Sequence, residues 1–232
     1  SMQHGCAAPF SIARLGESFA FLSQDDRGRN VVVQMNGYAP KRISTFGVEA
    51  AFSTYTKVSD AIAYSYQQQG HEFYVLTLPT ADVTWVYDLA TELWHKRAWR
   101  DSSNVLHRHR SNCAAFFNGR LLVGDYQNGN IYELSRSVYT DNGDTIPCIR
   151  RAPHLVKDYD RVFYQSLQLY FQPGVGISSG QGSDPQAMLE WSDDGGSTFS
   201  NQHWTSIGKI GKYKNRAIWR QLGTARDRIF QV

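Results

Sequence analysis

Three stretches of this chain repeat one plan, in which four short apolar segments are separated by Gly, Asn, Asp or Pro turns. Few folds accommodate such a repeat. Ala7, Ala61 and Ala114 mark the same phase in the three stretches, at steps of 54 and 53 residues. Four strands per unit at this period match the blade of a β-propeller. We therefore predict an all-β chain with three blade-like repeats in residues 1–150, at about 6–45, 60–99 and 112–150.

Small residues open each repeat, which supports the propeller interpretation. They are Cys6, Ala7 and Ala8, then Ala61 and Ala63, then Cys113, Ala114 and Ala115. The innermost strands of a propeller crowd around its axis, where large side chains would collide. The third repeat is expected to return through the segment DTIPCIRR, and only residues 46–54 could form a short helical turn. Two stacked β-sandwiches remain an alternative, and three units are too few to close a ring.

The last part of the chain, residues 151–232, differs from the repeats. We expect longer strands there, beginning with VFYQSLQLYFQPG, and a Gly/Ser/Pro loop over residues 172–186. This part is either a further, larger blade or a separate β-sandwich. The sequence stops on the apolar segment Ile229–Val232, which predicts either truncation or a partner that covers an exposed strand edge.

The segment WSDDGGSTFS carries the Asp-box pattern of sialidase-like propellers. The positions that match the pattern are Ser192, Asp194, Gly196, Thr198 and Phe199. Small polar residues and glycines favour a hairpin turn, because Asp caps nearby N–H groups and Gly accepts a positive φ. We predict a structural turn, and the alternative is a sialidase-like glycan-active or glycan-binding domain.

Composition excludes several classes of protein. Hydrophobic residues make up 41% and aromatic residues 13% of the chain, which is typical of a packed globular core. No apolar run is long enough to span a membrane. The net charge of +3 is too small to indicate by itself that the protein binds nucleic acid. The three cysteines are an odd number without C-x-x-C spacing, so we expect reduced, structural thiols.

Arginines cluster in the run RAWRDSSNVLHRHRSN and recur as a pair after the third repeat. We interpret them as a charged contact surface formed by Arg97, Arg100, Arg108, Arg110, Arg150 and Arg151. Arginine binds acidic side chains or phosphates through bidentate hydrogen bonds. A solvated loop or a subunit contact is favoured over direct nucleic-acid binding, because the run has one Trp, Trp99, and no series of interleaved aromatic residues for base stacking.

Patterns typical of catalysis and of metal binding are missing. The chain has no G-x-S-x-G elbow, no P-loop and no G-x-G-x-x-G turn, and most carboxylates lie in turn segments. His107 and His109 would share one face of a strand, but no third ligand stands at a suitable spacing. We therefore predict no enzymatic activity, no metal and no cofactor.

Long segments of the chain resemble one known protein family. They include GDYQNGNIYEL, YTDNGDTIPCIRRAPHL, GQGSDPQAMLEWSDDGGSTFSNQHW, IWRQLGTARDRIF and the stretch from DAIAYSYQQQG to LWHKRAW. These segments resemble the packaged-DNA stabilisation proteins, also called tail-hub or nozzle proteins, of P22-like short-tailed bacteriophages. The resemblance runs from about residue 6 to residue 232.

The resemblance implies a structural protein of the virion tail, assembled in the bacterial cytoplasm. The implied partners are other subunits of a homo-oligomeric ring, the portal and its adaptor ring, and the tail needle or spike. Contact with DNA would be weak and non-specific, and no membrane would be involved. Family members are longer, so the resemblance also implies that this sequence is a fragment. The family offers no catalytic residues to carry over.

Overall fold

The computed structural model describes residues 5–103, 105–136, 138–180 and 182–232. The chain forms two compact units, which divide between Pro147 and Cys148. Within the described residues, the only helical elements are one α-helix of nine residues and one 3-10 turn at Pro9–Ser11. The prediction of an all-β chain is therefore confirmed.

The first sheet of the first unit is an antiparallel meander. Its strands are β1 (Gly5–Cys6), β2 (Ala13–Leu15), β3 (Ser18–Gln24), β4 (Asn30–Asn36) and β5 (Ala39–Arg42). Both β1 and β2 pair with β3, and β4 and β5 follow in chain order. Leu22 and Val32 belong to the main core, whereas Phe21 and Val33 lie in a second buried cluster. Burial of both faces explains the continuous apolar runs in these strands.

Helix α1 (Phe46–Thr54) follows the first sheet, within the residues where a helical turn was expected. Val48 and Phe52 are buried in the main core. The carboxylate of Glu49, which is also buried, accepts hydrogen bonds from Arg42 and from the hydroxyl of Ser44. A buried carboxylate is tolerated when it is paired in this way, so the helix is fixed by both packing and an ion pair.

The second sheet is a meander of five strands. They are β6 (Ile62–Gln68), β7 (His71–Leu78), β8 (Val83–Asp88), β9 (Leu93–Arg100) and β10 (Leu106–Arg108). Their order in the sheet follows the chain from β6 to β10. Tyr74 and Leu76 of β7 are fully buried in the main core, and the Tyr74 hydroxyl donates a 2.7 Å hydrogen bond to the Ser11 carbonyl. This bond joins the second sheet to the 3-10 turn between β1 and β2.

The third sheet contains β11 (Ser111–Phe117), β12 (Arg120–Asp125) and β13 (Ile131–Glu133), and a short hairpin follows, formed by β14 (Thr140–Asp141) and β15 (Asp144–Thr145). Strands of the three sheets are neighbours, since β2 of the first sheet contacts β6 of the second, and β6 contacts β11 of the third. This arrangement gives a physical reason for the small residues at the start of each repeat. The division into three blades stays a prediction.

The expected return of the third repeat through DTIPCIRR is not a strand of this sheet in the described residues. The β14–β15 hairpin takes up its first residues, and Arg150 exchanges backbone hydrogen bonds with Val232. Those two residues both belong to the second unit. The compact units thus divide slightly before residue 150, where the sequence placed the boundary.

In its described residues, 148–180 and 182–232, the second unit has eight short strands. They are β16 (Leu155–Val156), β17 (Val162–Phe163), β18 (Ser166–Leu169), β19 (Gln186–Ser192), β20 (His203–Ser206), β21 (Ala217–Arg220), β22 (Thr224–Ala225) and β23 (Asp227–Gln231). One sheet has the order β16-β23-β19-β20, and two separate ribbons pair β17 with β22 and β18 with β21. Leu189, Trp219 and Phe230 form the centre of its core.

Two expectations for this unit are wrong. The strands do not lengthen after residue 151, because β17 and β18 are separate and pair with different partners. The terminal strand is not a bare edge either. β23 pairs with β16 on one side and β19 on the other, and the Val232 backbone is bonded to Arg150. The backbone of this strand therefore pairs with strands of its own unit, and no partner is needed to cover it.

The cysteines also differ from expectation. Cys6, Cys113 and Cys148 are unpaired, and all three are exposed. Exposed side chains contribute little to a buried core. The prediction that these thiols have a structural role is therefore wrong.

We expect the Tyr74→Phe substitution to lower the free energy of unfolding by about 1–2 kcal/mol, because it leaves the buried Ser11 carbonyl without its donor. Chemical denaturation followed by fluorescence would measure this change. Tyr38→Phe is the matched control, since Tyr38 is 97% exposed. Equal stability of the two variants would contradict the structural role of the Tyr74 hydroxyl.

Candidate contact surfaces

The arginine-rich run lies on β9 and β10 and in the segment that leads to β11. The Arg97 guanidinium stacks over the rings of Tyr66 and Phe73, 5.4 and 5.3 Å from their centroids. Arg108 stacks over Tyr126 at 3.7 Å. Arg97 and Arg108 are half-buried. Aromatic residues from other strands therefore accompany these arginines in space, although Trp99 is the single Trp, Tyr or Phe residue of the run itself.

Arg110 was predicted as a surface residue, and the structure corrects this prediction. It is only 5% exposed, and its guanidinium lies 4.1 Å from the centroid of the Trp99 ring. Three carboxylates and one amide surround it: Asp125, Asp141, Asp144 and Gln127. A buried cation requires such partners. Arg110 is thus engaged inside the first unit and is not free to contact another molecule.

A cavity of about 370 Å³ lies beside this ion cluster in the first unit. Its lining includes Arg97, His109, Asp141 and Ile146. Burial raises the pKa of the Asp141 carboxyl, although Arg110 acts in the opposite direction. The cavity is therefore lined by mixed charges and apolar groups.

His109 is held in a hydrogen-bonded chain that joins the second and third sheets. Its Nδ1 atom accepts the backbone N–H of Ser111 and lies 2.6 Å from the Ser111 hydroxyl, which in turn lies 2.5 Å from the Tyr64 hydroxyl. Burial lowers the pKa of His109 to about 4, and nearby Arg97 adds to this effect. Burial also raises the pKa of Tyr64 to about 12. Both groups are neutral at pH 7.

His107 has a different environment from His109. Its two ring nitrogens lie 2.7 Å from Asp82 and 3.3 Å from Asp101, and its ring stacks on Trp99. The hydrogen bond with Asp82, followed by that with Asp101, raises the pKa of His107. In the part of the chain that the structure describes, no group of three or more His, Cys, Asp or Glu residues is arranged to hold a metal.

The remaining arginines of the predicted surface are divided between the units. Arg100 ends β9, where it pairs with Leu106 of β10. Arg150 and Arg151 are exposed residues of the second unit. Arg151 donates two hydrogen bonds to the side chain of Gln231 and stacks over the ring of Phe199. The six arginines are therefore not all exposed, and they do not lie in one unit.

The Asp-box segment connects β19 to β20, and its polar side chains are used within the loop. The Asp194 carboxylate accepts hydrogen bonds from the Ser192 hydroxyl at 2.6 Å, the Ser197 N–H, and both the N–H and the hydroxyl of Thr198. The Gly196 N–H donates to the Ser192 hydroxyl at 2.8 Å. These bonds, led by that from Ser192, hold the pKa of Asp194 below its ordinary value.

Asp193, the neighbour of the Asp-box aspartate, has a role that sequence reasoning missed. Its carboxylate accepts two 2.6 Å hydrogen bonds from Arg228, which is 2% exposed. The Arg228 guanidinium also lies over the rings of Tyr164 and Trp191, and it donates to the Leu222 carbonyl. This bidentate pair fastens the Asp-box loop to β23. The pattern of the turn alone contains no signal for the pairing.

Two protein-family models match the chain, and together they extend over nearly all of it. The model described as bacteriophage P22 Gp10, beta-propeller, matches residues 1–139, and the model described as bacteriophage P22 Gp10, beta-sandwich, matches residues 148–232. The chain belongs to the bacteriophage P22 Gp10 family. No curated protein matched the chain in a direct sequence comparison.

Membership of the Gp10 family confirms the propeller-type fold of the first unit. It also decides between the two alternatives for the second unit, which is a β-sandwich and not a further blade. Gp10 proteins are structural components of the phage tail and are not enzymes, so the prediction of no enzymatic activity is confirmed and the sialidase alternative is unsupported. No helix among the described residues is long and apolar enough to cross a membrane.

The low pKa of His109 predicts a pH-dependent loss of stability. Because the folded protein binds this proton only near pH 4 and the unfolded chain binds it near pH 6.5, stability is full above pH 6.5 and falls between these values. We expect the free energy of unfolding to fall by about 2–3 kcal/mol less between pH 6.5 and pH 4 in His109→Asn than in the parent protein. Urea denaturation at pH 7, 6, 5 and 4 measures it, and identical pH profiles for parent and variant would refute the assignment.

The contacts of Asp194 predict that the Asp-box residues act as a turn. Asp194→Ala should lower the melting temperature, because the loop N–H groups lose their acceptor. Gly196→Val should cost about 1–3 kcal/mol, since φ is +93° at this position. Asp160→Ala, at an exposed residue of the same unit, is the control. Variants that melt like the parent but lose a bound ligand would show that the loop is a functional site.

Proposed function

We propose that the protein joins the phage tail below the portal and its adaptor and helps to retain the packaged DNA. The observation that carries this proposal is the match to Gp10 family models in both units. In the proposed assembly, neighbouring copies form a ring in the virion, and the tail needle or spike attaches further down. Assembly would take place in the bacterial cytoplasm.

An uncovered sheet face in the first unit supports a role in assembly. The alternation of side chains along β11–β13 places Cys113, Phe117, Leu122 and Ile131 on one face. Phe117 is 70% exposed and Ile131 is 73% exposed. The same face also carries the ion pair of Arg120 with Glu133. Exposed apolar residues beside a charged pair are typical of protein–protein contacts. We assign this face, named here the outer face of the third sheet, to contact with another tail component.

The exposed and half-buried arginines supply a polar contact in the same proposal. Arg97, Arg100 and Arg108 in the first unit, and Arg150 and Arg151 in the second, would pair with acidic groups of neighbouring subunits or of the adaptor. Charged groups at the rim of an interface favour the correct partner and speed association more than they increase affinity. Arg110 is left out because its charge is already compensated.

The proposal is tested by adding the chain to the portal–adaptor complex of the same phage and measuring co-sedimentation. We expect binding by the parent, and at least tenfold weaker binding after Phe117→Asp or Ile131→Asp, which place a charge on the outer face of the third sheet. Tyr38→Asp is the control, because it adds the same charge at an exposed position in the turn between β4 and β5. Absence of binding by the parent would refute the proposal.

The isolated chain should be a monomer or a weak oligomer in light scattering at micromolar concentration. In the proposed assembly the ring depends on stacking against the component above it, so subunits alone lack part of the contact. A stable closed ring of the isolated chain would contradict this expectation.

A further inference from the structure

The ribbon formed by β18 and β21 in the second unit has one buried and one solvent-facing side. Trp219 and Ala217 are buried in the core, where Leu167 and Leu169 pack against them. Side chains alternate along strands, so Arg216 and Arg220 lie on the opposite, exposed side. Tyr170, directly after β18, is 87% exposed. Arginines and an aromatic ring therefore line the outer side of this ribbon.

The loop that precedes β21 adds lysines to the same end of the ribbon and is held in place by its own contacts. The Asn215 side chain donates a 2.7 Å hydrogen bond to the Ser206 carbonyl. The Tyr213 ring packs flat on Gly174, where an added Cβ atom would lie 2.5 Å from the ring. Only glycine permits this approach. The loop thus presents its lysines from an ordered backbone.

Positive charge in this region is not compensated. The second unit carries eleven Lys and Arg residues against seven Asp and Glu residues, a net charge of +4, whereas the first unit is at −1. The sequence has no acidic residue over 161–183 or 195–226. Among the described residues, Lys209 pairs with Asp184, but Lys212, Lys214, Arg216 and Arg220 form no ion pair. Like charges held together without partners favour binding of a polyanion.

We propose that Tyr170, Lys212, Lys214, Arg216 and Arg220, named here the basic ribbon, bind the phosphate backbone of DNA without sequence preference. Arg216 directly precedes β21 and Arg220 ends it, so extended backbone separates them by about 13 Å. A DNA strand in a duplex carries a phosphate about every 3.4 Å along this length. The exposed ring beside Arg216 is suited to stack on an unpaired base.

A cleft of about 270 Å³ lies at the loop end of the ribbon, lined by Tyr170, Tyr213, Lys214 and Arg216 among others. Aromatic rings interleaved with cations in a groove are typical of surfaces that follow a nucleic-acid backbone. The inference rests on the proposed function in taking DNA as the polyanion, and it locates that contact in the β-sandwich.

The test is fluorescence anisotropy of the full chain with a labelled 20-nucleotide poly-dT strand and a labelled 20-base-pair duplex. Four phosphate contacts predict that the logarithm of the affinity falls with the logarithm of salt concentration with a slope of about −3 to −4. Replacing the four basic residues of the ribbon by Gln should weaken binding at least tenfold and flatten this slope. Replacing the exposed Arg27, Lys57, Arg120 and Arg136 of the first unit by Gln removes the same charge and is the control.

Strandedness is read from the Tyr170→Ala variant. We expect about fivefold or greater weakening on the single strand and no change on the duplex, because only an unpaired base can stack on the ring. Equal loss of affinity in the ribbon variant and the control variant would overturn the proposal, as would unchanged binding by the ribbon variant. A parent that binds the portal–adaptor complex but neither DNA probe would overturn this inference alone and leave the proposed function in place.

Discussion

Burying a guanidinium is costly unless carboxylates, carbonyls and aromatic faces replace its water, and each unit of this protein is arranged around one such group. Arg110 in the first unit lies over Trp99 and among three carboxylates. In the second unit, the Arg228 guanidinium lies over the rings of Tyr164, Trp191 and Phe230. It also donates two hydrogen bonds to the Asp193 carboxylate. These contacts fix the hairpins that carry the partner carboxylates. Removal of either cation would leave buried acidic groups or an unanchored loop.

This use of arginine changes where a functional surface can be sought. The densest arginine run in the sequence is largely engaged in stacking and ion pairing inside the first unit, so its charge is not available in full to a partner. The uncompensated cations lie instead along 212–220 in the second unit, where the sequence has no acidic residue over 195–226. Basic residues without an acidic partner are therefore better guides to a binding surface than a segment with many basic residues that are already paired.

The polar groups that suggested chemistry also serve the fold. His107 and His109 are two residues apart, yet one lies between two aspartates and the other in a chain of hydroxyl groups. The Asp-box carboxylate is saturated by donors of its own loop. Such saturation suits a family of structural phage proteins, since groups that are fully occupied in the folded state add rigidity and not reactivity.

The sequence by itself determined the features that depend on local order: the antiparallel meanders, the helix at Phe46–Thr54 and the turn over the Asp-box. Strand alternation and turn chemistry depend on residues a few positions apart, so they can be identified from the sequence alone. Only the tertiary structure decided that β23 is a central strand, that Arg110 is buried and that Asp193 pairs with Arg228 across 35 positions. Those outcomes depend on which distant segments meet, because burial and ion pairing are properties of neighbours in space.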